Sequence, residues 1–157
     1  MDLRTILISI LLSLIPISEL RGGLPYALIS GIPLLPAYLI CVIANALVGP
    51  LVFLFLSSLH KLLDRWQPYR LFFDRIIDRS RKKVHDKVEK YGYAGLMLFV
   101  AIPLPVTGAY TDALGAWVLG MKKRKSLLVL AAGVIIAGII VSAVYLIGIT
   151  ALYIFIK

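Results

Sequence analysis

Two long stretches without a charged residue constrain the fold of this chain more than any other feature. One covers residues 34–59 and the other residues 126–156. A helix of about 20 apolar residues crosses the hydrocarbon core of a bilayer, so each stretch is long enough to span it. Because 61% of the 157 residues are hydrophobic, the sequence predicts one all-α integral membrane domain.

Two further apolar segments, residues 3–33 and 94–121, are each interrupted by Pro and Gly. The first interruption reads IPISELRGGLP from Ile15, and the second reads IPLPVTG from Ile102. Irregular backbone is tolerated at membrane depth where protein or a water-filled cavity covers it. We therefore predict that each segment is a re-entrant hairpin, which enters the membrane, turns at the interruption and leaves on the same side.

Basic residues predict the orientation of the chain. Residues 60–93 contain ten Lys and Arg, and residues 122–125 read KKRK. Such clusters favour the cytoplasmic side, and a hairpin at 94–121 lets both clusters lie there, which a single crossing would not. The two termini would then face outside. Net charge of +9 is explained by this pattern and by anionic lipid, so no nucleic-acid partner is expected.

The segment 60–93 itself is predicted to form a basic amphipathic helix on the cytoplasmic side. Its apolar residues recur every three or four positions from Tyr69 to Tyr91, which is the helical period. Lys and Arg crowd the opposite face, as in helices that lie on an anionic membrane surface. A helix that packs against a partner or a second copy is the alternative.

The two halves of the chain share one layout. At a shift of about 87 residues, Ile15-Pro16 falls on Ile102-Pro103, and each predicted hairpin is followed by a long uncharged helix. The first repeat is residues 1–59 (hairpin 3–33, span 34–59), and the second is residues 94–157 (hairpin 94–121, span 126–156). One span separates the hairpins, so we predict an inverted repeat whose broken elements meet near the membrane midplane.

Between Thr5 and Leu59, and again between Ala94 and Met121, only three residues are charged, namely Glu19, Arg21 and Asp112, and all three lie in the predicted hairpins. Ionisable groups at membrane depth are costly, and they tend to be functional or paired. Arg21 precedes Gly22 and Gly23, and a guanidinium beside accessible backbone N–H groups suits an anionic group of a substrate.

The two acidic residues suit proton or ion coupling, because a carboxyl in a poorly solvated cavity can bind and release a proton near neutral pH. Neutral hydrogen bonds to a substrate are expected from Tyr26, Thr107 and Tyr110, and also from Thr111 and Asn45. The plainer interpretation is that Glu19 and Arg21 neutralise each other at the membrane interface while Asp112 caps a half-helix.

Enzyme and cofactor sites are not indicated. The sequence has no Ser-His-Asp arrangement, no cluster of metal ligands, no P-loop and no dinucleotide-binding fingerprint. A single cysteine, Cys41, allows no disulfide within the chain. We expect a protein that is not an enzyme and that has neither a metal ion nor a cofactor.

The stretches ELRGGLPYAL from Glu19 and YGYAGLMLFVAIPLPVTGAYTDALGAWVLGM from Tyr91 resemble the small multidrug export proteins over essentially the whole chain. That family is distantly similar to the DedA-like membrane proteins, with two re-entrant hairpins and two following helices. The resemblance implies a multi-pass protein of a bacterial or archaeal inner membrane. DedA-like proteins are implicated in moving polyprenyl phosphate or other lipid carriers, using acidic and arginine residues. They carry basic residues in the second hairpin, where this chain has only Asp112.

The predicted function is therefore a proton- or ion-coupled transporter of an anionic amphiphile, such as a lipid-linked phosphate. Small-molecule multidrug efflux is the first alternative, and it leaves Arg21 without a role. An ion channel and a non-transporting membrane scaffold are the others, the scaffold using the basic helix as its partner surface. Two spanning helices cover two hairpins poorly, so we expect membrane lipids and a second copy of the chain as partners.

Overall fold

Seven helices make up the part of the protein that the computed structural model describes, which is residues 2–63, 92–102 and 108–156. No strand occurs in these ranges. Most of the predicted basic helix, residues 64–91, lies outside them, as does Thr107. The helices are α1 (Leu3–Leu14), α2 (Glu19–Ile29), α3 (Leu34–Ala46), α4 (Val48–Leu63), α5 (Gly92–Ala101), α6 (Ala109–Val118) and α7 (Lys123–Ile156).

Proline ends the first helix. Asp2 caps its start, with a side-chain oxygen accepting a hydrogen bond from the Arg4 N–H at 3.2 Å. Ile15 precedes Pro16 and takes an extended conformation with φ −75° and ψ 131°, because the proline ring disfavours a helical residue before it. The chain therefore reverses over residues 15–18, and α2 begins at Glu19.

Small residues let α1 and α2 pack closely. Ser9 and Ser13 are buried, and their hydroxyls donate 2.8 Å hydrogen bonds to the carbonyls of Thr5 and Ser9. A Cβ added at Gly23 would overlap the Ser13 hydroxyl and lie 2.8 Å from the Ser9 carbonyl oxygen. Contacts of this kind hold helices together in membranes, where lipid provides little hydrophobic drive for association.

The predicted span 34–59 is divided into two helices, α3 and α4, at Leu47. Pro50 explains the division, because it has no N–H to donate to the carbonyl of Ala46 four residues earlier. Leu47 keeps helical angles, with φ −66° and ψ −19°, so the chain continues in nearly the same direction. Residues Leu34–Ser58 together remain long and apolar enough to cross a membrane.

The last helix, α7, spans 34 residues and contacts α2, α3, α4 and α6. Two glycines allow close approaches: a Cβ at Gly133 would lie 2.7 Å from the Val100 Cβ of α5, and one at Gly138 would lie 2.7 Å from a Val42 methyl of α3. The Tyr38 hydroxyl also donates a 2.9 Å hydrogen bond to the carbonyl of Ile135. This helix therefore connects the two halves of the protein.

The two ends of the segment 94–121 lie side by side. The Tyr93 hydroxyl, at the start of α5, accepts a 3.1 Å hydrogen bond from the backbone N–H of Lys122, just before α7. The Lys125 ammonium lies 6.0 Å from the centre of the Tyr93 ring, within the range of a cation–π interaction. The segment thus returns to the end from which it started, as a hairpin does.

The halves also share a helix-ending motif. Gly31 and Gly120 have positive φ angles of 86° and 66°, and each ends a helix by a bond that spans five residues, Ile32 N–H to Ala27 and Met121 N–H to Ala116. These glycines are 89 residues apart, whereas α1 and α5 end 87 residues apart. The ends of α1 and α5 are therefore separated by the predicted 87 residues. The glycines that end α2 and α6 are separated by two residues more.

Large apolar side chains cover the outside of the described helices. Leu3, Leu7 and Leu11 form an exposed stripe on α1, and similar stripes follow α3, α4 and α7. A soluble monomer seldom exposes so much contiguous apolar surface. Together with the two long apolar helices, this surface is that of a membrane protein.

The hairpin arrangement predicts the sidedness of three exposed positions. In a Cys41→Ser background, single cysteines at Ala94 and Lys123 should react with a membrane-impermeant maleimide from the same side. A cysteine at Arg4, at the start of the other hairpin, should react from the opposite side. Labelling intact cells and inverted vesicles measures this. Reaction of positions 94 and 123 from opposite sides would contradict the hairpin.

Candidate functional site

The interruptions of the two predicted hairpins, which we also call their breaks, contact each other through Glu19. Its side chain is only 6% exposed, although it lies at the first turn of α2. The carboxylate accepts hydrogen bonds from the backbone N–H groups of Ala109 and Tyr110, which are the first residues of α6. These N–H groups have no partner within their own helix, and the helix dipole favours a negative charge there. Glu19 is thus the anionic ligand of the α6 N-terminus.

Unusual backbone conformations accompany this contact on both sides. Glu19 has φ +48°, a left-handed value, and Gly108 has φ 151° with ψ −174°, a region open essentially to glycine alone. A Cβ at position 108 would overlap the Glu19 carboxyl group. Such conformations cost on the order of 1–3 kcal/mol each and persist only where the surroundings impose them. Gly108 therefore lets the carboxylate reach the helix.

A second hydrogen bond joins the same two breaks in the other direction. The Tyr110 hydroxyl donates to the backbone carbonyl of Leu14, the last residue of α1. The last carbonyls of a helix have no partner inside it. The Tyr110 side chain of α6 therefore binds the end of α1, and the Glu19 side chain of α2 binds the start of α6.

We call the contact of Leu14 and Glu19 with residues 108–110 the junction, and Arg21 lies next to it. It is half-buried on α2, two residues after Glu19, and it is close enough to attract the Glu19 carboxylate electrostatically. It lines the small cavity at the junction. The space open to the centre of a water molecule there is about 10 Å³, which is room for one water. The cavity is lined by Glu19, Leu20, Arg21, Asn45, Val100, Gly108, Ala137 and Val141.

The same Arg21 also borders a larger open groove between α2 and α7. This groove has a volume of about 370 Å³ and is lined by Arg21, Pro25, Val141, Val144 and Tyr145. Its walls are mainly apolar apart from the guanidinium and the phenol. Arg21 and Val141 thus separate a small polar cavity from an apolar groove.

Asn45, one of the residues expected to form neutral hydrogen bonds, adds a polar group to the cavity. Its side-chain N–H donates a 2.9 Å hydrogen bond to the Ser13 carbonyl, and the residue is only 2% exposed. A buried amide in an otherwise uncharged span was the available signal. Gly108 was not predicted as a site residue, although a glycine just before an apolar helix indicates special backbone geometry.

The other predicted site residues lie in several places. Asp112 is fully buried in the first turn of α6, but it is not among the residues that line the cavity. Gly22 donates its N–H to the Ser18 carbonyl, and Gly23 packs on α1. Tyr26 is half-buried on α2. Glu19, Arg21 and the backbone at Tyr110 are therefore the members brought together, and the substrate-binding roles of the others stay predictions.

Comparison with known protein families gives a match over most of the chain. The sequence model of a family described as "Putative small multi-drug export protein" matches residues 19–140, which is most of the chain and includes Glu19, Arg21, Gly108 and Asp112. No curated protein and no solved structure matches the chain.

The close fit between Gly108 and Glu19 predicts a destabilised Gly108→Ala variant. We expect a loss of about 2–4 kcal/mol, because the methyl group meets the carboxyl and the backbone conformation excludes alanine. Thermal unfolding in detergent measures the loss. Gly148→Ala is the matched control, since nothing lies within 4 Å of a Cβ there. Adding Glu19→Ala should remove the steric part of the loss, and strict additivity of the two changes would contradict the contact.

Proposed function

Because the chain belongs to the small multi-drug export protein family, we propose that it is a membrane transporter, proton- or ion-coupled, for an anionic amphiphile such as a lipid-linked phosphate. The family description supports membrane export. One observation supports the substrate class: Arg21 lies between a small polar cavity at a helix N-terminus and an open apolar groove. An amphiphile has a group suited to each of these environments.

The anionic end of the substrate is assigned to Arg21 and the start of α6. A guanidinium offers a planar set of donors that fits phosphate or carboxylate in a bidentate manner. Backbone N–H groups at a helix N-terminus add a second set of donors and a favourable field. The Glu19 carboxylate, which binds this N-terminus, supports the assignment.

The apolar end is assigned to the groove between α2 and α7. Its volume of about 370 Å³ falls in the range of small-molecule sites. Val144 is exposed at its edge, and the neighbouring residues of α7 carry further exposed apolar side chains, Leu146 and Ile147. A hydrocarbon chain leaving the groove would therefore continue along an apolar surface into the surrounding lipid.

Coupling is assigned to Glu19 and Asp112, the two buried acidic residues of the described helices. In this proposal the hairpins are re-entrant and related as an inverted repeat, so that rocking of one repeat against the other exposes the junction to alternate sides. A homodimer in a prokaryotic inner membrane, with residues 60–93 and 122–125 in the cytoplasm, completes the proposal.

Multidrug efflux is the competing function, and the family description itself favours it. A cationic drug would use the buried carboxylates and would gain nothing from Arg21. The two functions therefore differ in the residue on which they depend. Lipid-anion transport requires Arg21, whereas cation efflux requires Asp112.

Translocation of fluorescent lipids in proteoliposomes tests the proposed function. Labelled phosphatidic acid should cross in the presence of the protein, as measured by access of dithionite to the label, and labelled phosphatidylcholine should not. Arg21→Lys keeps the charge but loses the bidentate fork, so we expect at least a tenfold slower rate, or about 1.4 kcal/mol. Arg4→Lys, an exposed arginine remote from the junction, is the matched control.

Two results would contradict this function. Equal translocation of the anionic and zwitterionic lipids would remove the role of an anion site. Unchanged anionic-lipid transport in Arg21→Lys, together with ethidium efflux that is lost in Asp112→Asn, would assign the protein to drug export instead.

A further inference from the structure

The contact between Glu19 and the start of α6 also leads to an inference about regulation, and this inference rests on the proposed function. We propose that the Glu19 carboxylate is an internal competitor of the substrate: it occupies the α6 N-terminus that the anionic group would use, and protonation of Glu19 releases that N-terminus. The site would then exchange its own anion for the anion of the substrate.

The geometry leaves no room for both anions. The Glu19 carboxylate takes the N–H groups of Ala109 and Tyr110, and the adjoining cavity has space for about one water molecule. A phosphate group is larger than a water molecule and needs the same donors. Substrate binding at this helix end therefore requires the carboxylate to leave.

The backbone is arranged so that Glu19 can leave. The residue holds a left-handed conformation with φ +48°, which a residue other than glycine rarely adopts. It follows directly on the irregular turn at residues 15–18. Loss of the contact would relieve this strained φ, and rotation about the Glu19 side-chain torsions would carry the carboxylate away while the rest of α2 stays packed.

Few other charged or titratable groups face Glu19 in the described part of the chain. Arg21 comes from its own helix and Tyr110 from the first turn of α6. Asp112 is buried in that same turn, although it does not line the cavity. The helices α3, α5 and α7 present Asn45, Val100, Ala137 and Val141 to the cavity, none of which titrates. Asp112 is thus the alternative acid that any test must separate from Glu19.

Competition of this kind couples proton and substrate. A neutral carboxyl is a weaker ligand for the helix N-terminus than a carboxylate, so acid favours binding of the substrate anion. By linkage, binding of the anion must promote protonation of Glu19 by the same factor. Proton and anionic substrate would be taken up together.

The contact itself is tested without any substrate, by NMR of the labelled protein in detergent micelles. In a titration from about pH 4 to about pH 9, the amide protons of Ala109 and Tyr110 should shift in one transition in the native protein, as Glu19 loses its proton. Glu19→Gln should abolish that transition, and Asp2→Asn, which changes a remote exposed acid, should keep it. A transition that persists in Glu19→Gln and disappears in Asp112→Asn would overturn the proposal.

The competition is tested by binding of dioctanoyl phosphatidylglycerol, whose phosphodiester keeps one charge over this pH range. The native protein should bind this probe at least about fivefold more tightly at the acidic end of this pH range than at the basic end. Glu19→Gln should bind it tightly at both ends, and Asp112→Asn should retain the pH dependence. Equal affinity at both ends in the native protein would overturn the competition. Loss of binding at every pH, with the NMR transition intact, would instead refute the proposed function.

Discussion

The contact between the Glu19 carboxylate and the start of α6 is the interaction on which the rest of the arrangement depends. It joins two broken elements whose backbone groups would otherwise lie unpaired in an apolar setting, which costs several kcal/mol per group in lipid. The α6 N–H groups are satisfied by Glu19, and the last carbonyl of α1 is satisfied by the Tyr110 hydroxyl. Each break therefore compensates for the irregular backbone of the other.

Helices that pack closely at small residues surround the contact between Glu19 and α6. Gly23 and Gly133 bring α2 and α7 close to the backbone of α1 and α5, and Gly138 lets side chains of α3 pack closely on α7. Helices α2 and α7 contact each other, and Arg21 lies between the polar junction and the apolar groove. A charged residue at such a boundary is costly unless it is paired or functional. The position of Arg21 is the physical reason for proposing an amphiphilic anion.

Much of this fold could be predicted from the sequence. Long uncharged stretches predicted the two apolar helices, and the Pro- and Gly-rich interruptions predicted where the others are divided. The division at Leu47 was not predicted, although Pro50 was a visible cause. The contact of Glu19 with Gly108 could not be predicted, because it depends on how two distant turns meet, and no local pattern encodes that. Asp112 and Glu19 were grouped by charge alone, yet only Glu19 lines the cavity.

The most direct test of the account is native mass spectrometry of the protein gently extracted from its own membrane. An amphiphilic anion held by Arg21 should survive extraction, so we predict a specific anionic lipid bound to the native protein and absent from Arg21→Ala. Bulk membrane lipid in equal amounts on both proteins would contradict an anion site at this junction, and it would direct attention to the buried carboxylates and to drug efflux.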